Sequence, residues 1–435
     1  MLLRKVTNDL VEWKRRNNKK SLVVKGARQV GKTYAIEHFA KLNYTEVVEI
    51  NFKEMPSAVD IFSGDLDVDT LIMALRFRFP DKKIVPGDTL IFLDEIQECE
   101  EAITSLKFWT IDGRYDVIAS GSMLGIDYKR ASSFPVGYVE YIDMCGLDFE
   151  EYLWNVDIKY DLIDGVRKCF NDIKVIPENI NNEMMKHFRT FIAIGGMPEV
   201  VDTYIETKDY RAVDKIQRDL LTGYQYDIGH FATAEEKIKA EKCYMSLGKQ
   251  LLEKENHKFQ YKDVEKGGRA QKYYSSVEWL IRADIVSICK RVTDIRYDLN
   301  DYARDDFFRL YVSDMSLLSA MRDFSMKQQI VENIFSGNTK GGLYETAIAN
   351  VLYKKGYETF FYKNDSSQKE IDFIIQKEGK VIPIEVKSSN SKATSLNNIV
   401  SKCDNIEVAY KFIDGNMGRA NNEVITAPLY AVMFL

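Results

Sequence analysis

The sequence predicts an α/β protein that begins with a parallel sheet and ends with a second, smaller α/β region. Between residues 21 and 120, short apolar strands alternate with helical segments, and chains that alternate in this way build parallel sheets. The pattern becomes mainly helical after residue 155. Beyond residue 339, a helix precedes three short strands.

The composition is that of an ordinary globular protein. The chain has 435 residues, of which 45% are hydrophobic, and a net charge of −6. At ~100–200 residues per domain, about two to four domains are expected. The acidic balance argues against a uniformly basic nucleic-acid surface but leaves a local basic face open. The six cysteines are scattered and form no CxxC pair, so reduced thiols are expected rather than disulfides or zinc ligands.

The sequence carries no signal for export or membrane insertion. No apolar run reaches the ~18 residues that a transmembrane helix needs. Charged residues interrupt the N-terminal stretch where a signal peptide would be apolar. We therefore expect a cytoplasmic protein without a membrane partner.

Each element of the first region follows from its residue pattern. Residues 10–16 and 33–42 have the apolar spacing of helices. Four apolar runs are predicted as strands, and the third is almost continuously apolar, as in a strand buried on both faces of a parallel sheet. These strands span residues 21–25, 47–52, 89–93 and 116–120.

Residues 26–33 read GARQVGKT and match the phosphate-binding pattern GxxxxGK[ST]. The match follows a strand and opens a helix, as this loop requires. Backbone N–H groups would surround phosphate oxygens, Lys32 would reach the β- and γ-phosphates of ATP, and Thr33 would ligate Mg²⁺. The residues predicted to bind the nucleotide here are Gly26, Ala27, Arg28, Gln29, Val30, Gly31, Lys32 and Thr33.

A second motif, LIFLDE at residues 90–95, supplies two carboxylates. Asp94 would hold Mg²⁺ at the carboxyl edge of the sheet, and Glu95 would polarise the attacking water. Glu95 could instead only cap the next helix. Ser120 ends the following strand and is predicted either to sense the γ-phosphate or to form a simple turn. The arginine-finger candidates, for which surface solvation is the competing role, are Arg114, Arg130 and Arg218.

The last region carries acidic residues in the order E…D…ExK. Glu345 lies in a predicted helix over residues 342–355, and the three strands span residues 359–362, 371–376 and 381–386. Asp372 and Glu385 would bind Mg²⁺ through carboxylate oxygens, Glu345 would complete the metal shell, and Lys387 would orient or deprotonate a water molecule. The competing interpretation is a solvated strand face with alternating charges.

Residues 258–292 read as two helices followed by a hairpin, which is the order of a winged helix. The stronger helix spans residues 269–281 and the next strand residues 285–292. Contact with DNA is one interpretation of the basic run with interleaved tyrosines, and a solvated helix or a protein-binding surface is the other. The residues of this run are Lys258, Tyr261, Lys262, Lys266, Arg269, Lys272, Tyr273 and Tyr274.

Eight segments together carry a resemblance to a known group. They read GARQVGKT (26–33), FLDEIQ (92–97), ASGSM (119–123), FPVGY (134–138), LDFEEY (147–152), GGMPE (195–199), YVSD (311–314) and EVK (385–387). The chain resembles prokaryotic AAA-like P-loop ATPases fused to a C-terminal domain of unknown function with a PD-(D/E)xK nuclease-like fold. One departure concerns the trans-acting arginine, because many relatives have a Gly-Arg pair where this chain has PVG at residues 135–137.

The resemblance implies four parts. These are an AAA-like ATPase core (1–155), a helical lid (156–235), a winged-helix segment (236–325) and a nuclease-like α/β domain (326–435). Two functions follow. The first is an ATP- and Mg²⁺-dependent ATPase that acts on DNA through the winged helix and the nuclease-like domain. The second is a nucleotide-dependent switch or scaffold for a protein partner, with a silent nuclease-like domain. Assembly into a homo-oligomer is compatible with both.

Overall fold

The computed structural model describes most of the chain in two compact units. The N-terminal unit comprises Leu2–Gly146 and Arg282–Asp284, and the C-terminal unit comprises Leu147–Ile281 and Ile285–Leu435. Arg130 falls outside the described residues, as does part of the predicted segments at 119–123 and 134–138. The described ranges are 2–122, 135–230, 233–253, 258–335, 337–363, 370–389, 391–403, 405–419 and 424–435.

The described part of the N-terminal unit contains five parallel strands in the order β2-β3-β4-β1-β5. The four predicted strands are confirmed to within a residue at each end. β3 is buried along its whole length, as its continuous apolar run predicts. The strands are β1 Ser21–Lys25, β2 Glu46–Asn51, β3 Thr89–Asp94, β4 Asp116–Gly121 and β5 Val139–Asp143.

Helices cover this sheet and bury its apolar side chains. The Asp67 side chain caps α3 by accepting a hydrogen bond from the Thr70 N–H, and Gly113 ends α4 in the left-handed conformation. One core packs Ile91 and Leu93 of β3 with Leu71 of α3. The helices are α1 Val6–Arg15, α2 Lys32–Asn43, α3 Val68–Arg78 and α4 Glu100–Asp112.

The C-terminal unit begins with the helices that the sequence predicts. Asp148 and Glu151 form a reciprocal capping box at the start of the first of them. No helix in the described ranges has the length and apolar character needed to cross a membrane. These helices are α5 Phe149–Asn155, α6 Tyr160–Asn171, α7 Glu178–Ile194, α8 Pro198–Thr207, α9 Tyr210–His230, α10 Ala234–Glu253, α11 Tyr261–Val264 and α12 Ala270–Arg282.

A mixed sheet forms the rest of this unit, and its described strands run in the order β12-β13-β11-β10-β9-β8-β6-β7. The strands are β6 Val286–Val292, β7 Ala303–Val312, β8 Thr359–Lys363, β9 Glu370–Lys377, β10 Lys380–Lys387, β11 Ala409–Ile413, β12 Gly418–Arg419 and β13 Val424–Pro428. Its helices are α13 Met315–Ala320, α14 Ser325–Glu332, α15 Gly337–Lys354 and α16 Thr394–Val400.

The hairpin of the predicted winged-helix segment belongs to this same sheet. β6 pairs antiparallel with β7 and parallel with β8. Lys258, which precedes α11, forms an antiparallel bridge with Arg309 of β7. The element order is therefore helix, bridge, short helix, helix and hairpin, and the hairpin continues into the terminal sheet.

The GGMPE and YVSD segments meet in one buried network. Oδ1 of Asp314 accepts from the Gly196 N–H at 2.9 Å, and Oδ2 accepts from Lys354 Nζ at 2.5 Å. Gly195 has φ of 77°, and a Cβ there would lie 2.1 Å from the backbone nitrogen of Ser316. These segments therefore join the helical region to α13 and α15, and their role in the described structure is architectural. All six cysteines lie in the described ranges, and none of them forms a disulfide there.

Candidate nucleotide site and C-terminal carboxylate group

The phosphate-binding loop connects β1 to α2 in the N-terminal unit. Its first residue is Gly26, with φ of 155°, where a Cβ would lie 2.0 Å from the carbonyl oxygen of Met144. Gly31 reaches φ of 89° before the helix begins. Only glycine fits this first position without a steric clash, so the loop requires glycine at residue 26.

Lys32 begins α2, and its side chain folds back into the loop. Its Nζ donates to the carbonyl oxygens of Gly26 at 3.0 Å and Ala27 at 2.7 Å. Burial lowers the pKa of Lys32 to about 8, although the charges of Glu95 and Asp94 oppose this shift. A nucleotide phosphate would stabilise this ammonium group, because it adds negative charge where two neutral carbonyls now serve.

Asp94 contacts Thr33, the other predicted magnesium ligand of this site. Its Oδ2 accepts from the Thr33 hydroxyl at 3.0 Å and from Asn51 Nδ2 at 3.0 Å. Its Oδ1 accepts from the Ser120 hydroxyl, so Ser120 lies at the site rather than in an isolated turn. Only 3% of Asp94 is exposed. The hydroxyl of Thr33 and the carboxylate of Asp94 are hard oxygen donors, and this donor set fits Mg²⁺.

Glu95 follows in the left-handed conformation, with φ of 52°. Its Oε2 accepts from Lys53 Nζ and from Gln97 Nε2. Burial opposes ionisation of Glu95, but the hydrogen bonds and charge of these neighbours outweigh it and lower the pKa of Glu95. Its side chain makes no capping bond to the described helical turn Ile96–Glu98. The carboxylate is therefore ionised and held by Lys53 rather than used as a cap.

Three residues that support this site were not predicted. Arg4 donates to the carbonyl oxygens of Val30 at 3.1 Å and Cys145 at 2.6 Å, which fixes the loop from outside. Asn51 and Lys53 follow the apolar part of β2. Because β2 pairs in parallel with β3, with Asn51 opposite Asp94, a predicted neighbour relation between these strands would have indicated both residues.

The arginine-finger candidates that the structure describes are engaged within their own units. Arg114 binds Asp112 and Asp69, each at 2.7 Å. Arg218 binds Asp214 at 2.8 Å, and its guanidinium also donates to a backbone carbonyl at 3.1 Å. Both side chains are more than two-fifths exposed. These contacts fit the alternative role of solvated surface residues.

In the C-terminal unit, Glu345 of α15 is held by two residues of β7. Its Oε1 accepts from Arg309 Nη1 at 3.0 Å and from the Tyr311 hydroxyl at 2.6 Å. Arg309 is 1% exposed and also binds the Glu370 carboxylate and the Asp372 carbonyl oxygen. Burial disfavours the charge of Arg309, but Tyr311 and the carboxylates outweigh this effect and raise its pKa.

Asp372, Glu385 and Lys387 lie beside this group on β9 and β10. Asp372 Oδ2 accepts from the Val386 N–H at 2.7 Å. Burial, with the charges of Glu345 and Glu385, raises the pKa of Asp372 to about 7. Glu385 Oε1 lies 2.6 Å from Lys387 Nζ. Its Oε2 is buried and has no hydrogen-bond partner among the described residues.

The three-carboxylate metal shell of Glu345, Asp372 and Glu385 stays a prediction. Within the described ranges, no group of three or more His, Cys, Asp or Glu side chains is arranged to hold a metal ion. Arg309 and Tyr311 both bind Oε1 of Glu345 and would compete with a metal ion for that oxygen. Asp372 and Glu385 supply hard oxygen donors, and the orphaned Glu385 Oε2 fits a cation such as Mg²⁺.

Three family models match consecutive parts of the chain. Residues 18–153 match a family described as "AAA domain", residues 185–328 match "Domain of unknown function (DUF8612)", and residues 340–430 match "Domain of unknown function (DUF4143)". The first match agrees with the loop and sheet of the N-terminal unit. For residues 18–153, this match supports the coarser prediction of an AAA-like P-loop domain. The nuclease-like and winged-helix assignments stay predictions.

Several solved structures are similar at low sequence identity. ORC1 of Aeropyrum pernix in complex with DNA is 11% identical, covers 77% of this chain and 93% of its own, and has a TM-score of 0.30. AMPPCP-bound DnaA from Aquifex aeolicus is 12% identical over 63% of this chain and 86% of its own, with a TM-score of 0.28. TM-scores this low support no argument about this chain. A comparison with curated proteins found no match.

Proposed function

We propose that this chain hydrolyses ATP with Mg²⁺ in its N-terminal unit. The observation that carries the proposal is Asp94, buried at the end of β3 and bonded to Thr33 and Ser120. This contact supports the proposal, because hydroxyl and carboxylate oxygens are the ligands that Mg²⁺ prefers. In the proposal, Lys32 and the loop N–H groups hold the phosphates, and Thr33 and Asp94 hold the metal. Bound Mg²⁺ would neutralise phosphate charge.

Glu95 is the proposed general base. It directly follows Asp94, the proposed metal ligand, and its lowered pKa keeps it ionised at neutral pH. Its role requires that it exchange the Lys53 hydrogen bond for a water molecule. General-base catalysis contributes about 10²–10⁴-fold to a rate.

The test compares Glu95→Gln with Glu54→Gln, a nearby exposed carboxylate. Glu95→Gln should bind ATP normally and lose turnover by about 10²-fold or more. Glu54→Gln should behave as the wild type. Equal turnover in all three proteins would reject Glu95 as the base.

We further propose that the C-terminal unit contacts DNA through a winged helix formed by α10, α11, α12 and the β6–β7 hairpin. The supporting observation is the element order around the Lys258 bridge, together with exposed Lys262, Lys266 and Arg269. Two residues of the predicted basic run have other roles. Lys272 binds Glu265 at 2.7 Å, and Tyr273 is fully buried.

An ATPase assay with and without duplex DNA tests this proposal. Stimulation of turnover, together with DNA binding that weakens as salt increases, is expected. A protein partner is the alternative. No stimulation and no salt-dependent binding would reject contact with DNA and favour that alternative.

A second proposed activity is Mg²⁺-dependent DNA cleavage at the C-terminal carboxylate group. It is favoured by Glu385 Oε2, which is buried and has no hydrogen-bond partner within the described ranges. Burial and the neighbouring carboxylates also raise the pKa of Asp372 to about 7. Asp372 and Glu385 would hold the metal, and Lys387 would orient water. Plasmid cleavage should require Mg²⁺ and be lost in Lys387→Ala but not in Lys402→Ala, an exposed control. A wild type that never cleaves plasmid or single-stranded DNA would reject this activity.

A further inference from the structure

A cationic surface surrounds the ring of Phe307 on β7. Lys258 Nζ lies 3.6 Å from the ring centroid, and the guanidinium carbon of Arg291 lies 5.1 Å from it. Arg291 also donates to the backbone carbonyl oxygen of Lys363 at 2.6 Å and 3.1 Å. The charge of Lys363 is near enough to help lower the pKa of Lys258. All four residues are partly exposed. Lys258, Arg291, Phe307 and Lys363 are named the Phe307 cluster.

The acidic side chains Glu370 and Asp306 lie near this cluster. Lys363 Nζ lies 3.2 Å from Glu370, whose other oxygen binds a buried arginine. Burial is the main reason that the pKa of Lys258 is lowered, and the charges of Arg291 and Lys363 lower it further, while Asp306 opposes them. Cations this close repel one another, and a bound anion would relieve the repulsion.

Two aromatic rings connect the Phe307 cluster to the carboxylate group. The ring centroids of Phe307 and Phe361 lie 5.7 Å apart. The guanidinium carbon of Arg309 lies 4.1 Å from the Phe361 centroid, and Arg309 Nη1 donates to Glu345 at 3.0 Å. The cationic surface therefore adjoins the carboxylates within one unit.

We propose that the Phe307 cluster binds the phosphodiester backbone of DNA. Lys258 and Lys363 offer positive charges to successive phosphates. When Lys258 moves from the Phe307 ring to a phosphate, the partly exposed ring offers a stacking face to an unpaired base. This inference rests on the proposed action on DNA and deepens it. It places backbone contacts on the hairpin and β8, beside the carboxylates, in addition to the exposed cations around α11 and α12.

The test compares a Lys258→Gln/Lys363→Gln variant with a Lys215→Gln/Lys402→Gln control. The control removes the same charge from exposed positions of the same unit. The probe is a labelled mixed-sequence duplex, with affinity measured by fluorescence anisotropy between 50 and 200 mM salt. Loss of two phosphate contacts should make the plot of log K against log salt less steep by about 1.8. Between 50 and 200 mM salt, the fall in affinity should therefore be about tenfold smaller for the cluster variant than for the wild type.

The control should keep the wild-type slope, and each single cluster variant should show about half of the change. These single variants also cover the case in which the double variant does not fold. Unchanged basal ATP turnover shows that the N-terminal unit of each variant is folded. Equal slopes for cluster variants, control and wild type would overturn this inference and leave action on DNA intact. A wild type that binds no DNA would overturn both.

The aromatic part is tested separately with Phe307→Leu. Single-stranded DNA should bind this variant several-fold more weakly, because base–aromatic stacking is lost, while duplex binding should change little. An unchanged affinity for single-stranded DNA would overturn the stacking role.

Discussion

Replacing Lys53 with alanine should speed ATP hydrolysis. In the structure, Lys53 Nζ and Gln97 Nε2 bind the same oxygen of Glu95, and Lys53 helps to lower the pKa of this carboxylate. A general base must contact the water from which it takes a proton. Removing Lys53 takes away one competing donor and makes Glu95 more basic, so both effects favour proton abstraction.

The magnitude follows from the exposure of this ion pair. The Lys53 and Glu95 side chains keep 39% and 25% of their surface exposed. Pairs that solvent screens in this way contribute about 0.2–1 kcal/mol. If this ion pair must break before each hydrolysis step, turnover of Lys53→Ala should exceed that of the wild type by about 1.4- to 5-fold.

The assay is steady-state turnover at saturating ATP for the wild type, Lys53→Ala and Lys53→Arg, at low and high salt. Lys53→Arg keeps the ion pair and should resemble the wild type. High salt screens the pair, so it should bring the wild type closer to Lys53→Ala. A large fall in turnover for Lys53→Ala would refute the reasoning, because it would show that Lys53 orients Glu95 for the reaction.

Three further predictions concern binding and stability. Burial lowers the pKa of Lys32 to about 8 without nucleotide, and bound phosphates should raise it, so ATP binding should take up protons above pH 8 and weaken there by up to about tenfold per pH unit. Calorimetry in two buffers measures the proton uptake and the affinity. Proton uptake below pH 6 would contradict this prediction. Asp314→Ala should lower the free energy of unfolding in urea by about 3–5 kcal/mol, because it removes the carboxylate that pairs with the buried Lys354 ammonium. A loss as small as that of exposed Asp305→Ala would contradict this prediction. Glu385→Gln should weaken Mg²⁺ binding to the nucleotide-free protein in a calorimetric titration, and unchanged binding would contradict it.

The parts predicted from sequence are those with local signals. The strands β1 to β4 are apolar runs between turns, and the loop at residues 26–33 has a fixed spacing. Both signals can be recognised in the sequence without knowledge of distant contacts. β5 was not predicted because two of its five residues are charged and only Val139 is buried. The helix predicted at residues 342–355 starts earlier, at Gly337, because two glycines within it do not break it.

The parts not predicted depend on pairing between distant segments. The junction of β6 with β8 aligns Cys289 with Thr359, and no local pattern reports such a register. Arg309 is an ordinary cation in the sequence, and only its burial and its contact with Glu345 show that it competes for a predicted metal ligand. In the same way, the GGMPE segment is explained by its distant partner Asp314.

ATP turnover of wild type and Lys32→Ala tests the central claim most directly. Lys32 is the cation that the loop buries beside the phosphate position, and its loss should reduce turnover by about 10²–10³-fold, the range for removing one preorganised donor to a developing charge. Lys41→Ala, at the exposed end of the same helix, is the matched control and should retain full activity. Normal hydrolysis by Lys32→Ala would contradict the assignment of an ATPase site to this loop.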